Sequence, residues 1–223
     1  MSAVVTKPAT SFRFADLSLE RRPVSETLEF VPNQGNWSED EYLRLDEGCL
    51  LEFTNGTIEV LPMANPRHQR IALFLYRLLH EFVMSRGLGD VVVAPMPVRI
   101  GSKKYREPDI AFLSDDHVDL EEAECWAGAD LVVEVVSKGD PKRDLVQKRK
   151  EYAKAGISEY WIVQPQEFVV LVLNLKGRSY HEQRFQLGDV ATSQRLAGFR
   201  IAVSELFAAG PQPRTRRKNG KKS

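Results

Sequence analysis

Asp130-Leu-Val-Val-Glu134-Val-Val136 is the stretch that decides how this chain is read. Leu131, Val132, Val133, Val135 and Val136 form an apolar run of the kind found in a strand covered on both faces. A carboxylate in the middle of such a strand is costly unless positive charge meets it. Glu134 therefore requires a cation, either a metal ion or a buried basic side chain. Two neighbours bear on the choice. Upstream lies Pro108-Asp109, where Asp109 either merely starts a strand after the proline or offers a second carboxylate. Downstream, Asp144-x3-Lys148-x3-Tyr152 has the i, i+4, i+8 spacing of one helical face, so Asp144 can orient Lys148 or simply pair with it at the surface. Two carboxylates and a lysine in this setting suggest metal-assisted hydrolysis.

Working outward, Asp140-Pro141 opens a predicted helix reaching about Ala155, which Gly156 closes before a strand over 159–163. Tyr160 and Trp161 in that strand read as core packing rather than as a base-stacking platform. Residues 168–175 and 178–185 pair as a hairpin about Lys176-Gly177, and 204–208 form a short closing helix. On the upstream side, strands are expected over 90–94, 97–100 and 109–113. Ile71, Leu75, Leu78, Leu79, Phe82 and Val83 recur at helical spacing, which predicts a long amphipathic helix over 66–86 with Gly87 as its stop. Before it, 50–54 and 57–61 flank Asn55-Gly56, a dipeptide whose tolerance of positive φ favours a two-residue hairpin turn. Ser38 followed by Glu41 is a capping-box pattern opening a helix through Leu45.

A chain of 223 residues with 43% hydrophobic content can bury one substantial core. The expected division is an irregular arm over 1–35, one domain over 36–208 and a tail over 209–223. There is no apolar run long enough to span a membrane and no secretory leader pattern at Met1 to Thr10, so a cytoplasmic location without membrane partners is the expectation. Cys49 and Cys125 form no Cys-x-x-Cys pair, which leaves neither a disulfide framework nor a zinc knuckle. The balance of 31 basic and 31 acidic residues hides an asymmetry. Arg214, Arg216, Arg217, Lys218, Lys221 and Lys222 sit in an acid-free tail, leaving 25 bases against 31 acids in the remainder. Such a tail either holds nucleic acid through phosphate contacts or serves as a solvated end.

Six strings, in this order and spacing, carry a family resemblance: Leu51-Glu52-Phe-Thr-Asn-Gly56, His68-Gln69-Arg70, Glu107-Pro108-Asp109-Ile110, Asp130-Leu-Val-Val-Glu134-Val-Val, Asp144-x3-Lys148-x3-Tyr152 and Ala155-Gly-Ile-Ser-Glu-Tyr-Trp-Ile-Val163-Gln-Pro165. From about Trp37 to Phe207 the chain resembles the Uma-two family of endonuclease-like proteins within the PD-(D/E)xK nuclease superfamily. The resemblance implies an α/β fold with a mixed sheet, a restriction-endonuclease-like αβββαβ core extended by an N-terminal hairpin and C-terminal strands. It also implies Mg²⁺-dependent hydrolysis of phosphodiesters, with Mn²⁺ as a substitute, nucleic acid (DNA first) as partner, and room for a homodimer. Asp109, Glu134 and the main-chain carbonyl of Val135 are then the metal ligands, and Asp109, Glu134 and Lys148 the catalytic set. Supporting candidates are Glu52, which otherwise faces solvent in its hairpin, His68, which otherwise caps its helix, Lys138 and Asp144.

The superfamily's Glu-x-Lys is broken here, because Val136 stands where the lysine would be. Lys138 shares Glu134's strand face by alternation but lies about 13 Å along it, at roughly 3.3 Å per residue. Lys148 is the better candidate, since a helix following the strand returns its side chain toward the sheet. Ser137-Lys138-Gly139 also replaces the family's usual Ser-Pro-Ser. Two other readings stay open: a non-catalytic interaction module on the same fold, and a hydrolase of small phosphoesters. A missing grouped metal site favours the module, and a long groove past the carboxylates favours a polymer.

Overall fold

Asn55 and Gly56 have φ of 49° and 81°, the left-handed pair that a tight hairpin turn needs. They join β1 (Leu51–Thr54) to β2 (Thr57–Val60). A Cβ at Gly56 would lie 2.4 Å from the Gly35 carbonyl oxygen, so glycine also permits the approach of the preceding segment. That segment leads into α1 (Glu39–Leu43), where the expected capping box is present. Glu41 N–H donates to Ser38 Oγ at 3.1 Å and Ser38 N–H donates to Glu41 Oε2 at 2.8 Å. The computed structural model describes residues 33–45, 50–62, 64–137 and 141–209; most of the expected arm, the basic tail, Cys49 and Lys138 lie outside them.

The long amphipathic helix is α2 (Pro66–Met84), and Gly87 turns the chain with φ 58°. Then follow β3 (Gly89–Val93), β4 (Val98–Gly101), β5 (Lys104–Arg106), β6 (Ile110–Ser114) and β7 (Leu131–Val135). The sheet is resumed by β8 (Glu159–Gln164), β9 (Val169–Lys176) and β10 (Ser179–Phe185). Six strands form one sheet in the order β10-β9-β8-β7-β6-β3. Within it β7 and β8 run parallel and the other neighbours antiparallel, which makes the sheet mixed as expected. Between β7 and β8 the chain crosses over through α3 (Arg149–Ala155), ended by Gly156 at φ 84°. The series α2, β3, β6, β7, α3, β8 is the αβββαβ core. Its interruption by β4 and β5 feeds a second sheet, β2-β1-β5-β4.

Burial follows strand alternation. Leu131, Val133 and Val135 face α2 through Ile71, Leu75 and Leu79, together with Leu206 of α4 (Val203–Ala208). Val132 and Val136 face the other way, onto Tyr152 and Ile157. Glu134 belongs to this second face, beneath α3. Tyr160 and Trp161 are fully buried, in keeping with their reading as core. A third cluster, Trp37, Tyr42, Phe53 and Tyr105, packs α1 and the segment before it against the small sheet.

Several elements depart from expectation. The strand β5 was not foreseen, because three residues beginning with a lysine carry too little apolar alternation. The same holds for β11 (Val190–Thr192) and β12 (Arg200–Ala202), which pair only with each other. The helix expected from residue 140 is not α-helical throughout, since Arg143–Lys148 forms a π-helical turn before α3. Both Asp144 and Lys148 on that wide turn are buried, and such turns recur at functional sites.

Candidate active site

Proline at position 108 holds Asp109 at the entrance to β6, beside the end of β7. Its Oδ2 accepts the Val135 N–H at 2.7 Å. That bond ties the upstream carboxylate to the residue following Glu134, so the two predicted acids lie at the same end of neighbouring strands and line one cleft. His68, in the first turn of α2, sets its Nε2 3.1 Å from the same oxygen. Asn65 caps that turn by accepting the N–H groups of Arg67 and His68, each at 3.0 Å. Burial lowers the imidazole's basicity, but Asp109 and Asp144 outweigh it and raise His68 above its ordinary range. His68, a supporting candidate from the sequence with a capping or surface role as the alternative, is buried against Asp109.

Glu134 Oε1 accepts two hydrogen bonds, from Lys148 Nζ at 2.7 Å and from Tyr152 Oη at 2.7 Å. The lysine has returned to the strand carboxylate from the following helical turn, so it is not the ordinary surface pair that spacing alone allowed. Lys148 Nζ also lies 3.2 Å from Glu52 Oε1 and 3.6 Å from Asp144 Oδ1. The Glu52 contact is an ion pair without hydrogen-bond alignment, since Oε1 has no hydrogen-bond partner. Burial lifts the Glu134 carboxyl; Lys148 opposes this, Asp144 and Asp109 reinforce it, and the result is about 8. Burial pulls the lysine down, but Glu134, Glu52 and Asp144 overcome it and hold Lys148 above its usual range. Asp144 is raised by its own burial, against the pull of Lys148. The ammonium thus keeps its proton, and the surrounding acids compete for too little positive charge.

Glu52 does not face solvent. It is 1% exposed and paired with Arg143, with Arg106 Nε at 3.3 Å and with Lys148. Arg143 also reaches Glu59 at 2.6 Å, and Arg106 donates to Glu151 at 2.9 Å, so the small sheet and the π-helical turn are latched together by charge. Glu107 accepts the Leu51 N–H at 3.0 Å, and burial raises its carboxyl to about 7. Sequence reasoning named neither arginine nor Glu107 as part of the site. The one available signal was proximity, since Glu107 precedes Pro108 and Arg143 precedes Asp144.

His68, Asp109, Glu134, Val135, Asp144 and Lys148 share the wall of one cleft of about 230 Å³, together with Glu59, Glu107 and Arg143. A second pocket of about 440 Å³, lined by Leu50, Leu61, Ala72, Leu73, Val93 and Pro95 among others, has Asp109 in common with it. The two also share Leu50, Leu61 and Ala64, so they lie side by side with Asp109 between them. Among the described residues, no three His, Cys, Asp or Glu side chains stand grouped as ligands of one ion. Cys125 is buried, burial pushes its thiol up to about 11, and it does not line the cleft. No described helix is long and apolar enough to cross a membrane.

The model of the family Uma2, described as "Putative restriction endonuclease", matches residues 39–204. Among solved structures, one described as "a putative nuclease belonging to DUF820 from Anabaena variabilis ATCC 29413" superposes with a TM-score of 0.64 at 19% identity, covering 76% of this chain and 97% of its own. At that identity the likeness is one of fold. No curated protein matches the sequence.

Proposed function

This chain belongs to the Uma2 family, and from that premise we propose that it is a metal-dependent endonuclease hydrolysing phosphodiester bonds, with DNA as its polymer. The observation that carries the reading is the charge of the cleft. Glu59, Glu107, Asp109, Glu134 and Asp144 line it against Arg143, Lys148 and one histidine. A surplus of oxygen donors suits a hard divalent ion, Mg²⁺ or Mn²⁺, and not a thiophilic one. Asp109, Glu134 and the carbonyl of Val135 are the residues that would hold it. Bound there, the ion would supply an acidified water and neutralise charge on the phosphate.

The chain's own groups do the rest. Tyr152 and Lys148 fix one oxygen of Glu134 and leave its carboxylate a single orientation. Lys148 carries the positive charge that the developing phosphorane needs, on an ammonium already stripped of water and therefore effective at short range. His68 and the Val135 N–H hold Asp109 from two sides. The neighbouring pocket that shares Asp109 offers room beside the cleft for more than one phosphate group of a chain, which supports a polymer over a small phosphoester.

A non-catalytic binding module on the same fold is the second reading. It is favoured by two observations: no three His, Cys, Asp or Glu side chains among the described residues stand grouped as ligands of one ion, and Asp109 and Glu134 are already engaged by donors of the protein itself. The deciding experiment is cleavage of single-stranded and duplex DNA and RNA, with Mg²⁺, with Mn²⁺ and with chelator. Metal-dependent scission of DNA is the expected result; binding without scission under every condition would leave the module.

A further inference from the structure

The short connection from β8 to β9 ends in Phe168, whose φ is 55°. A left-handed conformation suits glycine or asparagine, and a bulky aromatic there is an outlier that the surrounding structure must hold in place. The ring is also 40% exposed. One edge rests on Phe207, with centroids 5.5 Å apart at 83°. On its other side Arg67 places its guanidinium 5.2 Å from the ring centroid.

The position of this pair matters more than its strain. Since β7 and β8 are parallel with Val135 beside Val163, the end of β8 at Gln164 lies at the same end of the sheet as Glu134 and Val135. Arg67 precedes His68, whose ring contacts Asp109. Phe168 and Arg67 therefore stand at the end of the sheet that carries the acidic cleft, one offering a partly exposed ring and the other, seated over one face of that ring, a cation. A polyanion gains nothing from the cleft's own carboxylates except through a metal, so its grip must come from the rim.

On the nuclease reading of the cleft, we infer that Phe168 and Arg67 form a docking step for an unpaired nucleobase, the base stacking on the ring and its phosphate meeting the guanidinium. Every base presents a π-face, so the step is insensitive to sequence. It selects instead for single-stranded or locally opened nucleic acid, because paired bases are already stacked on one another.

The test compares three probes on the full chain in excess chelator, which withholds the metal that cleavage needs: a labelled single-stranded deoxyoligonucleotide, the same strand with abasic sites, and its duplex. Phe168→Leu preserves apolar cover over Phe207 while removing the aromatic face. It is expected to weaken binding of the intact strand by about tenfold, the scale of one base–aromatic stack, and to leave the abasic strand and the duplex unaffected. Phe168→Tyr should restore the wild-type value. Arg67→Gln should weaken both single strands alike and lower the salt dependence. Equal losses by Phe168→Leu on intact and abasic strands, or no loss on either, would overturn the inference and leave Phe168 as a cover for Phe207. Wild-type cleavage is scored separately: absence of cleavage with the stacking difference intact removes the hydrolytic reading alone, whereas cleavage without that difference removes this one alone.

Discussion

Lys148 serves three acids at once, and Glu134 is the one it touches most closely. Replacing either partner therefore tests a different property. Glu134→Gln keeps the shape and can still accept from Tyr152, but it removes a charge that a divalent ion needs. Metal affinity by calorimetry should fall at least about tenfold, and cleavage should fall with it. Lys148→Met retains the apolar stem and loses the ammonium. Metal should still bind, while turnover at saturating Mg²⁺ drops by about 10²-fold if the lysine stabilises transition-state charge. The same variant leaves Glu134, Glu52 and Asp144 without their shared buried cation, a loss of the kind that costs about 3–5 kcal/mol. Added Mg²⁺ should then raise its Tm more than it raises that of the wild type. Unchanged cleavage in both variants would remove the site as assigned.

At the scale of elements, the site depends on where helices begin. The first turn of α2 carries His68 to Asp109, and Asn65 fixes that turn through two N–H groups. Asn65→Ala should lower stability in urea by about 1 kcal/mol, the usual worth of such a cap, with Asn65→Asp close to wild type. A variant as stable as the wild type would show that packing along Ile71, Leu75 and Leu79 alone sets the helix start. On the opposite wall, the π-helical turn performs the corresponding task for Asp144 and Lys148. Tyr160 donates to the Asp144 carbonyl at 3.1 Å, which anchors the wide turn to the sheet below.

For the whole molecule, charge is distributed between a latch and a tail. At the end of the sheet remote from the cleft, Asp130 accepts the Ser114 N–H at 2.9 Å and Arg195 Nε at 3.0 Å, and lies 3.0 Å from His117 Nδ1. Burial raises the Asp130 carboxyl, but these hydrogen bonds outweigh it and hold it below its ordinary range. The hydrogen bond to Asp130 raises His117 above its own. A depressed carboxyl contributes stability above its unfolded pKa of about 3.9 and loses it as pH falls through the folded value. A raised imidazole contributes fully below about pH 6.5 and loses that stability as pH rises through its folded value. The stability difference between wild type and His117→Asn should therefore peak between about pH 4 and 6.5, and for a half-exposed histidine stay within about 1 kcal/mol. A difference flat from acid to alkaline pH would show that the pair contributes no charge interaction. The tail belongs to the same scale because its six bases offset the acidic remainder. Deleting residues 210–223 should weaken association with DNA and flatten its salt dependence while cleavage at saturating substrate stays near wild type. An unaltered salt slope would mark the tail as a solvated end.

Periodicity and turn chemistry were enough to place the hairpin at Asn55-Gly56, α2 with its glycine stop, and a doubly buried strand around Glu134, because each is dictated by residues close in sequence. The need for a cation at Glu134 was also legible, since burial of that strand follows from composition alone. The identity of the cation's carrier was narrowed but not fixed: Lys148 could be preferred over Lys138 on reach, yet its three-acid cluster depends on Glu52 arriving from another sheet. Tertiary structure alone decided that Glu52 is buried, that His68 meets Asp109, and that Arg106 and Arg143 latch the small sheet to the π-helical turn and α3. These contacts join residues 41 to 91 positions apart, and no local pattern encodes them. Chain topology brings such groups together, and desolvation in the assembled core then makes their charges strong enough to matter.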